Sequence, residues 1–572
     1  MDERIWHRHY DDGVPRSMAF EDLPLPGFLE RAADRHPEGT AVLFGNGRLT
    51  YRRLKEDVDR LATALTAMEV ARDSRVAIHL PNVPQAVIAT LATLSLGAQA
   101  VMTNPLYVPR EIEHQWNDAE CSVAVTADYL YRRVLEPVRR RLPVRHYVVA
   151  SIAEYLRFPV RQLAPWKLRR ARPPLTAAIP NDPTIHPFRR LLRVTPPRPP
   201  RPVLEMEDIA CLQYTGGTTG LSKGAVLTHG NLSRNVQQLA AWLSHLQFGR
   251  EVFLAALPYF HIFGLTVCML LPVYVASAMV LMPNPRDVSA LVKGISKRRV
   301  TILPAVPAMF RAINEHPGIQ SIDIRSVKSC FSGSAPLPAD VLERFEELTG
   351  SRIMEGFGLT ETSPVTHVNP VSGLRKIGSV GIPVPETDAR IVHADDPALP
   401  RGPGQEGELL IRGPQVMREY WGRPEETAGV LREGWLHTGD LAVMDEDGYF
   451  TIVGRKKDMI LASGYNVYPD EIDGVLMSHP GVFEACTIGL PDAKRGETVK
   501  SFIVKKPGHD PSAQEILAFC REHLAAYKVP GRVEFRDELP KSSMLKILRR
   551  ILRDEEAARG PGGSSPDRDG GG

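Results

Sequence analysis

The chain has 572 residues, too many for one compact core, and 43% of them are apolar, ample for several. Its net charge of +3 and mixed polar content are those of an ordinary soluble globular protein, and no nucleic-acid recognition motif is present, so no nucleic-acid partner is expected. Six cysteines (Cys121, Cys211, Cys268, Cys330, Cys486, Cys520) lie far apart with no Cys-x-x-Cys pair, which excludes a disulfide framework or zinc finger and suits a reducing cytoplasm.

The first residues, Met1-Asp2-Glu3-Arg4, lack the basic-then-apolar pattern of a secretion signal, so a cytoplasmic protein is expected. From 29 to about 454, helical patterns alternate with short apolar, β-branched runs such as 75–80 and 301–304, which predicts α/β layers; 86–96 predicts a helix packed on such a sheet. Between 156 and 201 stand eleven Lys/Arg (Arg157, Arg161, Lys167, Arg169, Arg170, Arg172, Arg189, Arg190, Arg193, Arg198, Arg201) against the single acid Asp182. That surplus of +10 leaves the rest of the chain at −7. With many prolines and with Phe158, Leu163, Trp166 and Leu168, this insertion has two readings: a peripheral hairpin on anionic lipid, or a solvated, partly disordered segment without a partner.

Next comes Thr215-Gly216-Gly217-Thr218-Thr219-Gly220-Leu221-Ser222-Lys223-Gly224. Glycines let backbone N–H groups converge on a concavity, hydroxyls add donors and Lys223 adds a point charge, the makings of a phosphate-binding loop. It is not a Walker A sequence, since no Gly-x-x-x-x-Gly-Lys-Ser/Thr aligns. The uncharged run 262–282 is long enough to span a bilayer, but Gly264 and Pro272 interrupt it and 278–282 ends at Pro283, so a buried helix followed by a buried strand is expected. Runs 408–412 and 449–453 predict antiparallel strands near a domain end. After Lys457 a smaller α+β unit is expected, with helices over 471–478 and 513–524 and strands over 483–489 and 500–505. The Gly/Ser/Pro/Asp-rich end predicts a disordered tail from 556 to 572.

Downstream of the loop, in fixed order, stand Leu257-Pro258-Tyr259-Phe260-His261, Ser332-Gly333-Ser334-Ala335-Pro336, Glu355-Gly356-Phe357-Gly358-Leu359-Thr360-Glu361-Thr362, Gly434-Trp435-Leu436-His437-Thr438-Gly439-Asp440, Gly454-Arg455-Lys456-Lys457-Asp458, and Pro540-Lys541 with Lys546. From about 25 to about 553 the chain resembles the adenylate-forming superfamily of acyl-CoA synthetases, adenylation domains and luciferases. Asn104-Pro105-Leu106-Tyr107 and Ser463-Gly464-Tyr465-Asn466-Val467-Tyr468-Pro469 are most similar to bacterial-type long-chain fatty acyl-CoA ligases.

The resemblance implies an α/β fold: a large N-terminal AMP-binding domain (1–456) of mixed sheets flanked by helices, carrying the 156–201 insertion, and a small mobile lid (457–555). It implies ATP-dependent conversion of a fatty acid to acyl-AMP and pyrophosphate, then transfer to coenzyme A, with Mg²⁺ assisting. A monomer or homodimer is expected, cytoplasmic or peripheral to a membrane. Two other activities stay open: loading of a carrier protein or release of acyl-AMP, and a catalytically impaired acyl or nucleotide binder.

By the same resemblance Lys546 is the central catalytic cation, Thr360 contacts the α-phosphate and His261 positions the carboxylate. Glu361, with Thr215, is the metal ligand. Thr215, Gly216, Gly217, Thr218, Thr219, Gly220 and Lys223 hold phosphates. Gly333, Ser334, Ala335, Glu355, Gly356, Phe357, Gly358 and Ile452 border the nucleotide, with Phe357 stacking on adenine. Asp440 and Arg455 take the ribose or phosphate. Lys457 is the hinge. Ser463, Gly464 and Tyr465 line the pantetheine passage, and Phe263, Gly264, Val306 and Thr366 the acyl pocket. Three positions depart from the family pattern: Phe357 stands where tyrosine is commoner, Ser222 where much of the superfamily has proline, and Leu545 where glycine usually precedes the catalytic lysine, a bulk that puts the lysine's loop geometry in question.

Overall fold

The computed structural model describes residues 4–215, 222–462, 465–492, 496–542 and 546–559. Gly216, Gly217, Thr218, Thr219, Gly220, Ser463, Gly464 and Leu545 lie outside the described residues. The chain packs as two compact units, one of residues 1–389, 410–437 and 446–450, the other of 390–409, 438–445 and 451 onward.

The first unit contains two large sheets. In one, the strands run in the order Glu419–Tyr420, Lys223–Thr228, Ile209–Thr215, Gln99–Met102, Arg75–His79, Val123–Ala127, His146–Ala150, Ile185–Pro187. The pairings from Ile209–Thr215 to Ile185–Pro187 are parallel. In the other, Ile353–Gly358, Ser329–Ser332, Ile302–Ala305, Val252–Ala255, Ala278–Leu281 and Thr40–Phe44 form a parallel centre flanked by antiparallel edges. Val123–Ala127, Ala278–Leu281 and Ile302–Ala305 are buried along their whole length, as parallel strands covered on both faces must be, and Ala278–Leu281 is an unbroken apolar run. The helix Pro84–Ser95 is apolar nearly all round and correspondingly buried on every face, with the Thr93 hydroxyl donating to the Ala89 carbonyl at 2.8 Å.

The run 262–282 folds as a buried helix and a buried strand. Ile262–Leu265 continues through a π-turn over Thr266–Leu270 into Leu271–Tyr274, and Ala278–Leu281 joins the sheet. Neither expected interruption ends the helix. The π-turn loosens the i→i−4 ladder where Pro272 lacks its N–H, and Gly264 packs against backbone: a Cβ there would lie 2.2 Å from the Pro258 carbonyl oxygen. No helix among the described residues is long and apolar enough to cross a membrane.

The basic insertion is a helix and a sheet edge, not a hairpin. Val160–Arg170 buries no side chain, whereas Ile185–Pro187 pairs in parallel with 147–149 and Phe188–Val194 docks through Phe188 and Leu192. The difference has a plain cause: Ile185 and Phe188 can be buried in apolar surroundings, and nothing between 160 and 170 is.

A five-stranded sheet runs Asp388–Val392, Glu406–Arg412, Trp435–Met444, Leu431–Arg432, with Phe450–Arg455 beside Trp435–Met444. In the second unit, Tyr465–Val467, Ile460–Ala462, Gly496–Lys505 and Val482–Asp492 form an antiparallel ladder, with Arg532–Phe535 added in parallel. The helices Pro469–Ser478 and Ala513–His523 cover it through Ile472, Leu476, Ile516 and Cys520. The last helix, Arg549–Arg559, extends into the segment expected to be a disordered tail, because Glu556 takes an ion pair from Lys500 at 2.7 Å and Arg559 one from Glu534.

Candidate active site

Within the first unit, the phosphate-loop sequence connects two adjacent antiparallel strands, in which Thr215 stands directly opposite Lys223. The strand bearing Lys223 is fixed at its far end by a capping box: Thr228 accepts from the Asn231 N–H and Asn231 accepts from the Thr228 N–H, both at 3.0 Å. The Asn231 amide also donates to the carbonyls of Pro414 and Val416, and the next residue, Met417, donates its N–H to the Glu361 carbonyl at 2.7 Å. The backbone beneath the loop is thereby tied to the backbone of Glu361.

Thr360–Thr362 forms a 3₁₀ turn after the strand Ile353–Gly358, and the Thr362 hydroxyl accepts from the Leu359 N–H at 2.9 Å. The turn presents Thr360 and Glu361 together. The Glu361 carboxylate accepts a hydrogen bond of 2.6 Å from the Tyr420 hydroxyl. Lys223 is ion-paired with Glu426, and its ammonium stands 5.6 Å from the centre of the Tyr420 ring. Burial, reinforced by the Glu361 charge, raises the Tyr420 phenol well above its ordinary pKa, so it remains a donor.

A second cluster surrounds Phe357. Its ring meets the edge of His367 at 6.1 Å, and His367 in turn meets Phe450 at 4.7 Å. Burial pushes the His367 imidazole down to about 3, so it is a neutral packing partner. The Thr366 hydroxyl donates to the Phe357 carbonyl at 3.3 Å. Gly333 lies between the Phe263 ring and the Gly356 carbonyl: a Cβ there would stand 3.3 and 3.6 Å from them. Ser334 and Ala335 are exposed beside it, with Ser334 in the left-handed region at φ +73°. Phe263, Gly333, Gly356, Phe357 and Thr366 are therefore neighbours, whereas Gly264 faces the carbonyls of Leu257 and Pro258.

Glu355 points away from open space: its carboxylate accepts from the Gly378 N–H at 3.0 Å, and burial raises it to about 7. His261 caps the helix that begins at Ile262, its Nδ1 accepting from the Phe263 N–H at 3.3 Å. Val306 is the buried residue preceding the helix Pro307–Asn314.

The second unit holds the other constellation. Asp440, 2% exposed, is ion-paired with Arg455 at 2.8 Å. Lys546 feels both, together with Asp470 and Arg549. Ser542 and Lys546 exchange hydrogen bonds, from the Ser542 N–H to the Lys546 carbonyl at 2.7 Å and from the Lys546 N–H to the Ser542 hydroxyl at 3.2 Å, which fixes the lysine's backbone. The Lys546 side chain keeps an open flank to water, but crowding by protein, and secondarily the Arg455 charge, pushes its ammonium down to about 8. Ile452 and Arg455 lie on the same strand, Phe450–Arg455. Lys457 follows in a 3₁₀ turn and is likewise lowered by burial, then by Arg455. Tyr465 begins the strand Tyr465–Val467.

Sequence reasoning missed Tyr420, Glu426 and His367. The only signal for the first two was the aromatic and charged cluster Glu419-Tyr420-Trp421-Gly422-Arg423-Pro424-Glu425-Glu426.

In sequence, residues 29–421 match the AMP-binding enzyme family and residues 471–546 its C-terminal domain. The chain is 41% identical over 562 residues to a long-chain-fatty-acid–CoA ligase of Bacillus subtilis, covering 97% of this chain and 98% of that one. It is also 41% identical over 568 residues to a ligase of the same description from Escherichia coli O6:H1, covering 98% and 99%. Among solved structures, an anthranilate CoA ligase in complex with anthranoyl-AMP superposes with a TM-score of 0.82 at 28% identity, covering 95% of this chain and 99% of that one.

Proposed function

The chain belongs to the AMP-binding enzyme family, and we propose that it is an ATP-dependent ligase that joins long-chain fatty acids to coenzyme A. The observation that carries this reading is coverage: likeness to two long-chain-fatty-acid–CoA ligases extends over 97–98% of the chain and 98–99% of those ligases.

In the first half-reaction a carboxylate oxygen attacks the α-phosphorus of ATP and pyrophosphate leaves. Both partners are anionic, so cations and oriented donors must offset their repulsion. Lys546 and Thr360 take that role, His261 positions the carboxylate, and Lys223 and Thr215 hold the β- and γ-phosphates. Phe357, beside Gly333 and Gly356, offers a face for adenine, and Asp440 accepts from the ribose hydroxyls with Arg455 fixing its carboxylate. Glu361 suits Mg²⁺, being a hard oxygen ligand already oriented by Tyr420. The ion, when bound, offsets triphosphate charge.

In the second half-reaction the thiol sulfur of coenzyme A attacks the acyl carbonyl and AMP leaves. We assign residues 457–555 as the lid, Lys457 as its hinge, and Ser463, Gly464 and Tyr465 as the thiol passage. Phe263, Gly264, Val306 and Thr366 border the acyl site, Gly264 through its backbone. Lys457→Pro is expected to spare pyrophosphate release and block thioester formation; equal loss of both would remove the hinge assignment.

A cytoplasmic location with peripheral membrane contact completes the reading. On the Val160–Arg170 helix, Leu163 and Trp166 are 65% and 62% exposed and flank Lys167 and Arg170, with the Arg170 guanidinium 3.5 Å from the Trp166 ring centre. Apolar side chains among cations fit an anionic lipid interface, where long acyl substrates partition. Leu163→Asp with Trp166→Asp is expected to abolish co-sedimentation with phosphatidylglycerol vesicles; unchanged binding would remove the contact. Analytical ultracentrifugation separates monomer from homodimer.

A further inference from the structure

The short element from Glu419 to Val430 touches both groups assigned to the triphosphate. Its strand pairs with the strand that carries Lys223, in register Glu419↔Val226 and Tyr420↔Ala225. The Trp421 N–H donates to the Gly224 carbonyl at 2.7 Å, and the Trp421 indole N–H donates to the Asp118 carbonyl at 3.1 Å. Arg423 bonds the Asp118 carboxylate at 3.2 Å, and the Thr427 hydroxyl accepts from the Tyr420 N–H at 3.0 Å. The element is thus fixed to the sheet by its strand pairing and the Trp421 N–H, and to the end of the helix Pro109–Asp118 by the Trp421 indole and Arg423. From this base Tyr420 reaches the Glu361 carboxylate and Glu426 reaches the Lys223 ammonium. Arg423 is the other cation near Glu426, at 4.0 Å.

We propose that Glu426 is an internal stand-in for the nucleotide's terminal phosphates, holding Lys223 in place until the triphosphate displaces it, while Tyr420 positions Glu361 for its cation. The proposal rests on the assignment of Lys223 and Glu361 to the triphosphate site. A lysine side chain at the first residue of a strand has many rotamers; an anion on a fixed element holds it near its working position and leaves as a stronger, multiply charged anion arrives. The cost is competition. Glu426 is two-fifths exposed, so the pair it makes is weak and its removal worth a small factor in affinity.

The test uses the full-length protein and titration calorimetry with ATP, in EDTA and in Mg²⁺. Glu426→Gln removes the competing charge with almost no change of shape, and is expected to tighten ATP binding about two- to fivefold, a gain that shrinks in 0.5 M (about a 4 Å screening length) salt. A gain of affinity is not something local damage produces. In a Lys223→Ala background the same change is expected to do nothing. Tyr420→Phe is expected to leave ATP binding in EDTA unaltered and to weaken Mn²⁺ binding to the ATP complex, read by electron paramagnetic resonance, about three- to tenfold. Unchanged or weaker ATP binding by Glu426→Gln would overturn the stand-in, and unchanged Mn²⁺ binding by Tyr420→Phe would overturn the positioning role. If Lys223→Ala alone leaves ATP affinity intact, the assignment of the triphosphate site fails instead.

Discussion

Lys546 allows a prediction with a sign and a size. Its ammonium ordinarily titrates at 10.5 and here is pushed down to about 8, first by desolvation and then by Arg455, against the opposing pull of Asp440 and Asp470. The charged form neutralises the attacking carboxylate and the α-phosphate, so activity belongs to the low-pH side and is lost as pH rises through about 8. For a single titration at that value the lysine is about nine-tenths charged at pH 7 and about one-tenth charged at pH 9, a fall of about tenfold. Bound ATP brings negative charge and raises the lysine again, so the fall should appear in kcat/KM for ATP, which reports the free enzyme, and move to higher pH in kcat. The assay is pyrophosphate release without coenzyme A, at limiting and saturating ATP from pH 6.5 to 10. Lys546→Arg, whose guanidinium stays charged, should flatten the profile, and Lys546→Ala should cost about 10²- to 10³-fold at pH 7. A wild-type kcat/KM that stays level to pH 9.5, or an alanine variant within threefold of wild type, would refute the reasoning.

Gly264→Ala would place a methyl group 2.2 Å from the Pro258 carbonyl oxygen, forcing a backbone shift; a loss of about 1–3 kcal/mol in denaturant unfolding is expected. Arg549→Ala would leave the buried Asp473 and its neighbour Asp470 without their shared cation, and thermal unfolding of the variant should reveal a loss of about 3–5 kcal/mol. Phe357→Ala removes the proposed adenine face and should raise the KM for ATP about tenfold, whereas Phe357→Tyr should leave it within twofold, both measured by pyrophosphate release.

Much of the fold was legible locally. Unbroken apolar runs such as 278–281 marked strands buried on both faces, and the helix expected over 471–478 is found as Pro469–Ser478. The helix over 262–274 was expected, but its π-turn over Thr266–Leu270 was not, because it is a backbone accommodation with no side-chain pattern of its own. Within the candidate site, residues clustered in sequence were visible as segments: Thr360 with Glu361, and Asp440 within its glycine-bounded run. Their partners were not. Tyr420 and Glu426 reach Glu361 and Lys223 from a distant part of the chain, and His367 reaches Phe357 across an antiparallel pairing, contacts that only the folded sheet defines.

The most direct test of the central claim is product analysis of the purified protein with ATP, Mg²⁺ and fatty acids from short to very long, with and without coenzyme A. The account predicts pyrophosphate and AMP in equal amounts and acyl-CoA formed from long chains. Pyrophosphate without thioester, or thioester from short chains alone, would contradict it.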